Sequence, residues 1–209
     1  IANPIEYVHP DKKSIISQRS LGLDVANFNL GVTGALRHDP DVILIGEMRD
    51  PDTIRSAINA AATGHLVIST LHSNTASEVV NRIVSFFDPV ERDLVKLQLR
   101  DCLKCVICQR LVPKKGGGRL PTIEIMLNAV KAITDGIIAG DTDLIRIGMQ
   151  QTVSHSFLFE TYLYRLYKSG QIDLEQGQEY STDESIFNQM IMGTYSVPRL
   201  EGVKHLGSH

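Results

Sequence analysis

The sequence predicts an α/β fold: a mostly parallel sheet with flanking helices, followed by an α-helical C-terminal part. Three observations carry this. Two short β-branched apolar runs, Val42–Ile45 and Leu66–Leu71, are separated by a helical pattern. Strand–helix–strand–helix order then continues to about Gln109, the order of a parallel sheet. From Asn128 onward apolar residues recur mostly at helical spacing.

The bulk numbers exclude several function classes. At 209 residues, with 43% apolar and 22% charged residues, the chain has the length and composition of one full globular domain, or of one domain plus a small appendage. A net charge of -3 gives no global pull toward nucleic acid or anionic lipid, so no nucleic-acid partner is expected. No apolar run is long enough to span a bilayer and no secretory signal opens the chain. Direct membrane insertion is therefore not expected, and a reducing, cytoplasmic setting is.

Taken in order, Ile1–Tyr7 reads as the end of a strand entering a loop. Leu36 to Asp50 reads LRHDPDVILIGEMRD. A polar lead-in with Pro40 precedes the apolar run, and Gly46 and Glu47 close it, as for a strand buried on both faces. A carboxylate just past such a strand faces the crevice where open α/β sheets bind ligands. In nucleotide hydrolases an acid there meets magnesium or the attacking water. The plainer reading makes Glu47 a loop acid that caps the next helix. Asp50 is a good N-cap, Pro51 fits the first helical position and Asp52 complements the dipole. Ile54, Ala57, Ile58 and Ala61 follow at helical spacing, with Gly64 as the stop. The run LVISTL is a second strand ending at His72. Thr75–Glu78 has a capping-box pattern ahead of Val79, Val80 and Ile83.

Asp88–Glu91 opens a longer helix, expected to reach about Gln109. That helix would carry Cys102, Cys105 and Cys108 as small buried apolar side chains. Two CxxC steps also invite a zinc or iron–sulfur reading, but no fourth ligand of suitable spacing is nearby. Leu111–Val112 and Pro121–Met126 read as strands joined through Lys114–Arg119. GGGR there lacks a following Lys-Ser/Thr pair and leads into no helix, so it reads as a mobile hairpin tip rather than a phosphate loop. Val130, Ile133, Ile137 and Ile138 form one helical stripe. Phe157, Leu158, Tyr162, Leu166 and Tyr167 fall in a helix expected from Ser154 to Gly170, and Ser181–Glu184 caps another with Ile186, Phe187, Met190 and Ile191. The tail Lys204–His209 carries no signal.

The run LRHDPDVILIGEMRD resembles, without a gap, the signature LRxxPDhhhhGEhRD of the type II secretion and type IV pilus motor ATPases, with h an apolar residue. TGHLVISTLHSNTA resembles the family's His box, and IANPIEYVH resembles its Asp box. The hairpin before Met126 resembles the one that closes the core domain in these ATPases. ISQR and GGGR resemble the pilus-retraction, twitching-motility branch. The resemblance implies a RecA-like P-loop NTPase core over 1–126 and a helical subdomain with tail over 127–209. It implies ATP and Mg as cofactors, a homohexameric ring, and an inner-membrane pilus or secretion platform protein as partner. The motor would be cytoplasmic and peripheral to that membrane.

By the same resemblance Glu47 is the Walker B glutamate, catalytic and able to hold Mg directly or through water. Glu6, also expected to be catalytic, matches the later glutamate of the Asp box, whose usual two earlier acids are Ala2 and Asn3 here. His72 is expected to contact the γ-phosphate. Arg49 and Arg55 are either solvated salt-bridge partners or phosphate-sensing cations across a subunit boundary. Arg37 and Arg82 are further interface cations, while Asp41 belongs to the loop. His65 belongs to helix–strand packing or a turn, and His9, His38 and His155 have no evident partner. GxxxxGK[ST] does not occur in the sequence. The family places that loop N-terminal to these motifs, so the 209 residues alone are expected to be inactive. The competing expectation is a non-catalytic relative that binds or regulates an active ring.

Overall fold

The computed structural model describes residues 1–151 and 156–197. His155, the expected helix start at Ser154 and the Lys204–His209 tail lie outside them. The chain divides into two compact units. One comprises Ile1–His72 and Arg82–Cys102, the other Ser73–Asn81 and the described residues from Leu103 onward. The second unit therefore takes in the hairpin as well as the C-terminal helices.

In the first unit, helix α1 (Phe28–Ala35) starts at Asn27, whose side chain accepts from Leu30 N. A 3-10 turn (Leu36–His38) leads to strand β1 (Val42–Ile45), helix α2 (Pro51–Ala62) and strand β2 (Leu66–Ser69). β1 and β2 pair in parallel, Val42 opposite Leu66 and Ile45 opposite Ser69. Asp50 caps α2 as expected, accepting from Thr53 N at 2.8 Å. Ile1 adds one further rung: its amino group donates to Leu44 O at 2.8 Å and its carbonyl accepts from Gly46 N at 2.8 Å. The core gathers Phe28, Val32, Ile43, Ile45, Ala57 and Ala60.

β1 is not buried on both faces, as its composition suggested. Ile43 and Ile45 are buried at 3% and 0%, but Val42, Leu44, Leu66 and Ile68 stay 46–55% exposed. α1 and α2 cover one side of the pair; the register puts these four apolar residues together on the other. Helix α3 (Val79–Val84) begins after a turn over Ala76–Glu78, so Thr75 is not its cap; its hydroxyl lies 3.2 Å from that of Ser77.

Helix α4 (Arg92–Cys102) stops well short of Gln109. Strands β3 (Cys105–Pro113) and β4 (Arg119–Leu127) form an antiparallel hairpin of the second unit. Cys105 and Cys108 are therefore strand residues, not helical ones. None of the three cysteines is buried; Cys105 is exposed. The reason is pairing: every residue from Cys105 to Pro113 finds a partner on β4, an energy that local periodicity does not reveal. The hairpin tip is tied down. Lys115 N donates to Gln171 O at 2.9 Å and its ammonium reaches Asp173 at 2.8 Å.

The remaining helices are α5 (Lys131–Ala139), α6 (Thr142–Gln151), α7 (Phe159–Lys168), α8 (Leu174–Glu179) and α9 (Glu184–Met192). Asp183 caps α9 by accepting from Ser185 N and Ile186 N. Phe159, Leu163, Ile172 and Phe187 fill the core between the hairpin and α7–α9. Among the described residues no helix is long and apolar enough to cross a membrane.

Candidate functional site

The site forms where the two parallel strands end. Glu47 follows β1 by two residues and His72 follows β2 by three. The exits are laced together. Ser69 Oγ donates to Ile45 O at 3.0 Å, Thr70 Oγ1 to Gly46 O at 2.5 Å, and Met48 N to Thr70 O at 3.2 Å. Gly46 allows close approach: a Cβ there would lie 3.2 Å from Ile1 O, a tight contact that the opening residues would have to yield to by a few tenths of an ångström.

This lacing brings two predicted residues into contact. His72 Nε2 lies 3.3 Å from Glu47 Oε1. On the other carboxylate oxygen, Arg49 Nε donates at 2.6 Å and Arg49 Nη2 also makes contact. Arg49 holds the Glu47 carboxyl below its usual range, chiefly by that hydrogen bond; partial desolvation opposes the shift and His72 adds a smaller lowering. Glu47 is 20% exposed, whereas His72 is 89% and Arg49 64% exposed. An ionised carboxylate with an exposed imidazole and guanidinium beside it is a mixed acceptor–donor surface. It can hold a hydrated divalent cation on one side and donate to phosphate oxygens on the other.

A magnesium ion fits this donor set in one way. Among the described residues no group of three or more His, Cys, Asp or Glu is placed to hold a metal. Glu47 would therefore be the protein ligand, with phosphate oxygens and water completing the shell, as magnesium sites with one or two carboxylates commonly do.

The other candidates lie elsewhere. Glu6 is exposed and has no hydrogen bond or ion pair among the described residues. Arg55 is held by Asp52 at 3.1 Å and Glu91 at 2.8 Å, with Phe87 5.5 Å below its guanidinium, so it ties α2 to the start of α4 rather than joining Glu47. Arg37 is exposed, and Arg82 stacks on Phe86 at 5.0 Å. His65 Nδ1 meets Ala60 O at 3.0 Å in the turn after α2, and Asp41 O accepts from Leu66 N at 3.1 Å. His38 pairs with Arg19 at 2.9 Å, and the His9 ring packs on Tyr7 at 4.8 Å.

Sequence reasoning missed a buried polar cluster in the second unit. Glu124 on β4 and Glu160 on α7 are both fully buried, with Arg146 of α6 at 3.8 Å from Glu160. Burial pushes the Glu124 carboxyl up to about 7, against the lowering from the Ala76 N–H and Arg146. The alternation pointed the other way: Ile123 and Ile125 read as the inward face of Pro121–Met126, but the structure buries Thr122, Glu124 and Met126 instead.

Residues 1–127 match the family model described as Type II/IV secretion system protein. The type IV pilus retraction ATPase PilT of Pseudomonas aeruginosa is 46% identical over 127 residues, 61% of this chain and 37% of that protein. The type IV pilus ATPase PilU of the same organism is 36% identical over 193 residues, 91% of this chain and 50% of that protein. The crystal structure of the pilus retraction motor PilT with bound ADP superposes with a TM-score of 0.79 at 41% identity, covering 90% of this chain and 53% of that one. The Yersinia pseudotuberculosis ATPase DotB gives a TM-score of 0.71 at 29% identity, covering 80% of this chain and 44% of that one. The expected α/β, RecA-like architecture is thus borne out. The chain spans between about a third and a half of the length of these curated relatives.

Proposed function

The chain belongs to the Type II/IV secretion system protein family, and from that premise we propose that it supplies the Walker B and His-box half of an ATP-hydrolysing motor for type IV pilus retraction or type II-like secretion. The single observation that carries this reading is the Glu47–His72 contact at 3.3 Å, two polar side chains meeting at the C-terminal ends of adjacent parallel strands. Glu47 stays ionised under Arg49 and orients the attacking water or the magnesium shell. His72, and Arg49 on rearrangement, donate to the γ-phosphate. Glu47 would hold magnesium, which would supply charge neutralisation for the phosphates when bound. Glu6 completes the Asp box from the opening loop, and Arg55 acts by stiffening α2 against α4. The motor is a cytoplasmic hexameric ring of identical subunits that reaches the inner membrane through a pilus or secretion platform protein.

The phosphates need a glycine loop, and GxxxxGK[ST] is absent from these 209 residues. Residues 1–209 alone are therefore expected to hydrolyse ATP at background rates. Expressed with whatever coding sequence precedes Ile1 in its gene, the protein should hydrolyse ATP, and Glu47→Gln should lower kcat by roughly 10²-fold or more. An upstream GxxxxGK[ST] with no hydrolysis would overturn the motor reading. The second reading, a non-catalytic relative that regulates an active ring, draws on Ala2 and Asn3, which place no carboxylate where the Asp box usually has two. A coding sequence that begins at Ile1 would favour it.

A further inference from the structure

The loop immediately after His72 is held from the hairpin by two charged side chains. Arg110 on β3 donates from Nη2 to Asn74 O at 3.0 Å and from Nη1 to Tyr180 O at 3.0 Å, with its guanidinium 4.0 Å from the Phe159 ring centroid. Glu124 on β4 accepts from Ala76 N at 3.3 Å. The register puts both on one face of the hairpin: Arg110 faces Thr122, and Glu124 faces Cys108 one step further along. At and beside these two anchors Thr75, Ala76 and Ser77 are buried at 3%, 0% and 2%. Ser73 Oγ adds a bond to Thr75 O at 3.1 Å. Burying a loop this completely requires partners for its backbone, and the hairpin supplies them.

The cluster behind the anchor is under-satisfied. Thr122 Oγ1, Glu124 Oε1, Arg146 Nη1 and Nη2, and Glu160 Oε2 are buried without a hydrogen-bond partner among the described residues. Glu160 Oε1 is occupied by Thr182 N at 2.9 Å and Asp183 N at 2.7 Å. Two buried carboxylates thus share one guanidinium, because Arg110 is committed to two carbonyls. A surplus buried negative charge is relieved by taking up a proton.

We propose that Arg110 and Glu124 are positioning residues for ATP hydrolysis: they clamp Asn74–Ala76 and so fix the chain leaving His72, and the grip of Glu124 changes when it gains or loses a proton. The proposal rests on the assignment of His72 to the nucleotide. The held arrangement, which buries Glu124 beside Glu160, favours its protonated form, and loss of that proton favours release of Ala76. The charged or titratable groups that act on it are Arg146, Glu160, Arg110 and, across the hairpin, Cys108.

The test measures amide hydrogen exchange over residues 73–81 in the protein as naturally encoded, corrected for intrinsic rates, between pH 6 and 8. It is paired with steady-state ATP hydrolysis. In the wild type, protection of this segment should fall as pH rises through about 7. Glu124→Gln should flatten that dependence, and Arg110→Ala should lower protection by about tenfold, with Arg110→Lys recovering part of it. Arg110→Ala should lower kcat by about tenfold while KM holds within about twofold, and wild-type kcat should fall with protection above pH 7 while that of Glu124→Gln does not. Unchanged protection in Arg110→Ala, or an unaltered pH dependence in Glu124→Gln, would overturn the clamp. Lost protection with unchanged kcat would overturn the positioning role. Absence of hydrolysis in a wild type with an intact, pH-dependent clamp would count against the motor assignment, and the positioning role would fall with it.

Discussion

At the scale of single residues, charge placement decides what the site can do. Glu47 is exposed enough to meet a ligand yet keeps its proton off through Arg49. Arg49→Met should therefore raise the Glu47 pKa toward the ordinary carboxylate value, followed by carboxyl-carbon NMR across an acid titration. Glu124 is the opposite case. Its folded-state pKa lies above its unfolded value, so the folded chain binds more protons between about 4.5 and about 7. Stability from this group is present in acid and lost as pH rises through about 7, on the order of 3 kcal/mol in full. Urea melts at pH 5.5 and 8 should show that loss in the wild type and a much smaller one in Glu124→Gln. Glu47 and His72 were legible in the sequence because each closes a recognisable strand. The partnership of Arg55 with Glu91 was not, because 36 residues separate them and only packing of α2 on α4 joins them.

At the scale of elements, local rules were readable where they are strong. Asp50 takes both the N–H and the hydroxyl of Thr53, at 2.8 and 2.7 Å. Asp50→Ala should cost about 1 kcal/mol, read as a shift in chemical-denaturation midpoint. Gly177→Ala in α8 sets two effects against each other. Intrinsic propensity favours Ala by about 1 kcal/mol. However, the new Cβ would lie 2.2 Å from Phe187 Cζ, a fully buried ring that cannot swing away. Overpacking at about 1–3 kcal/mol or more should win, so the variant should melt lower, visible by calorimetry. Elements whose identity depends on distant partners were misread. The stretch Cys102–Gln109 continues an apolar pattern that suits helix or strand alike. Its pairing with β4 from Cys105 onward decides the outcome, and pairing is invisible to periodicity.

At the scale of the whole molecule, the parallel order of the sheet was legible, but its coverage was not. β-branched runs announce strands; they do not say which face finds a neighbour. Val42, Leu44, Leu66 and Ile68 leave an apolar face open in these 209 residues. Such a surface drives association in water. The 209-residue chain should scatter light increasingly with concentration, and Leu44→Lys with Ile68→Lys should suppress this without lowering helical circular dichroism. The chain's path between its two units has a practical outcome for anyone wishing to dissect it. It enters the second at Ser73, returns at Arg82 and leaves again at Leu103, so neither unit is one contiguous stretch. Cutting at residue 103 would strip the downstream fragment of its interleaved nine-residue insert, Ser73–Asn81. That fragment would also lose the Ala76 amide on which a buried acid leans. Neither piece produced by such scissors would be a faithful miniature of its half.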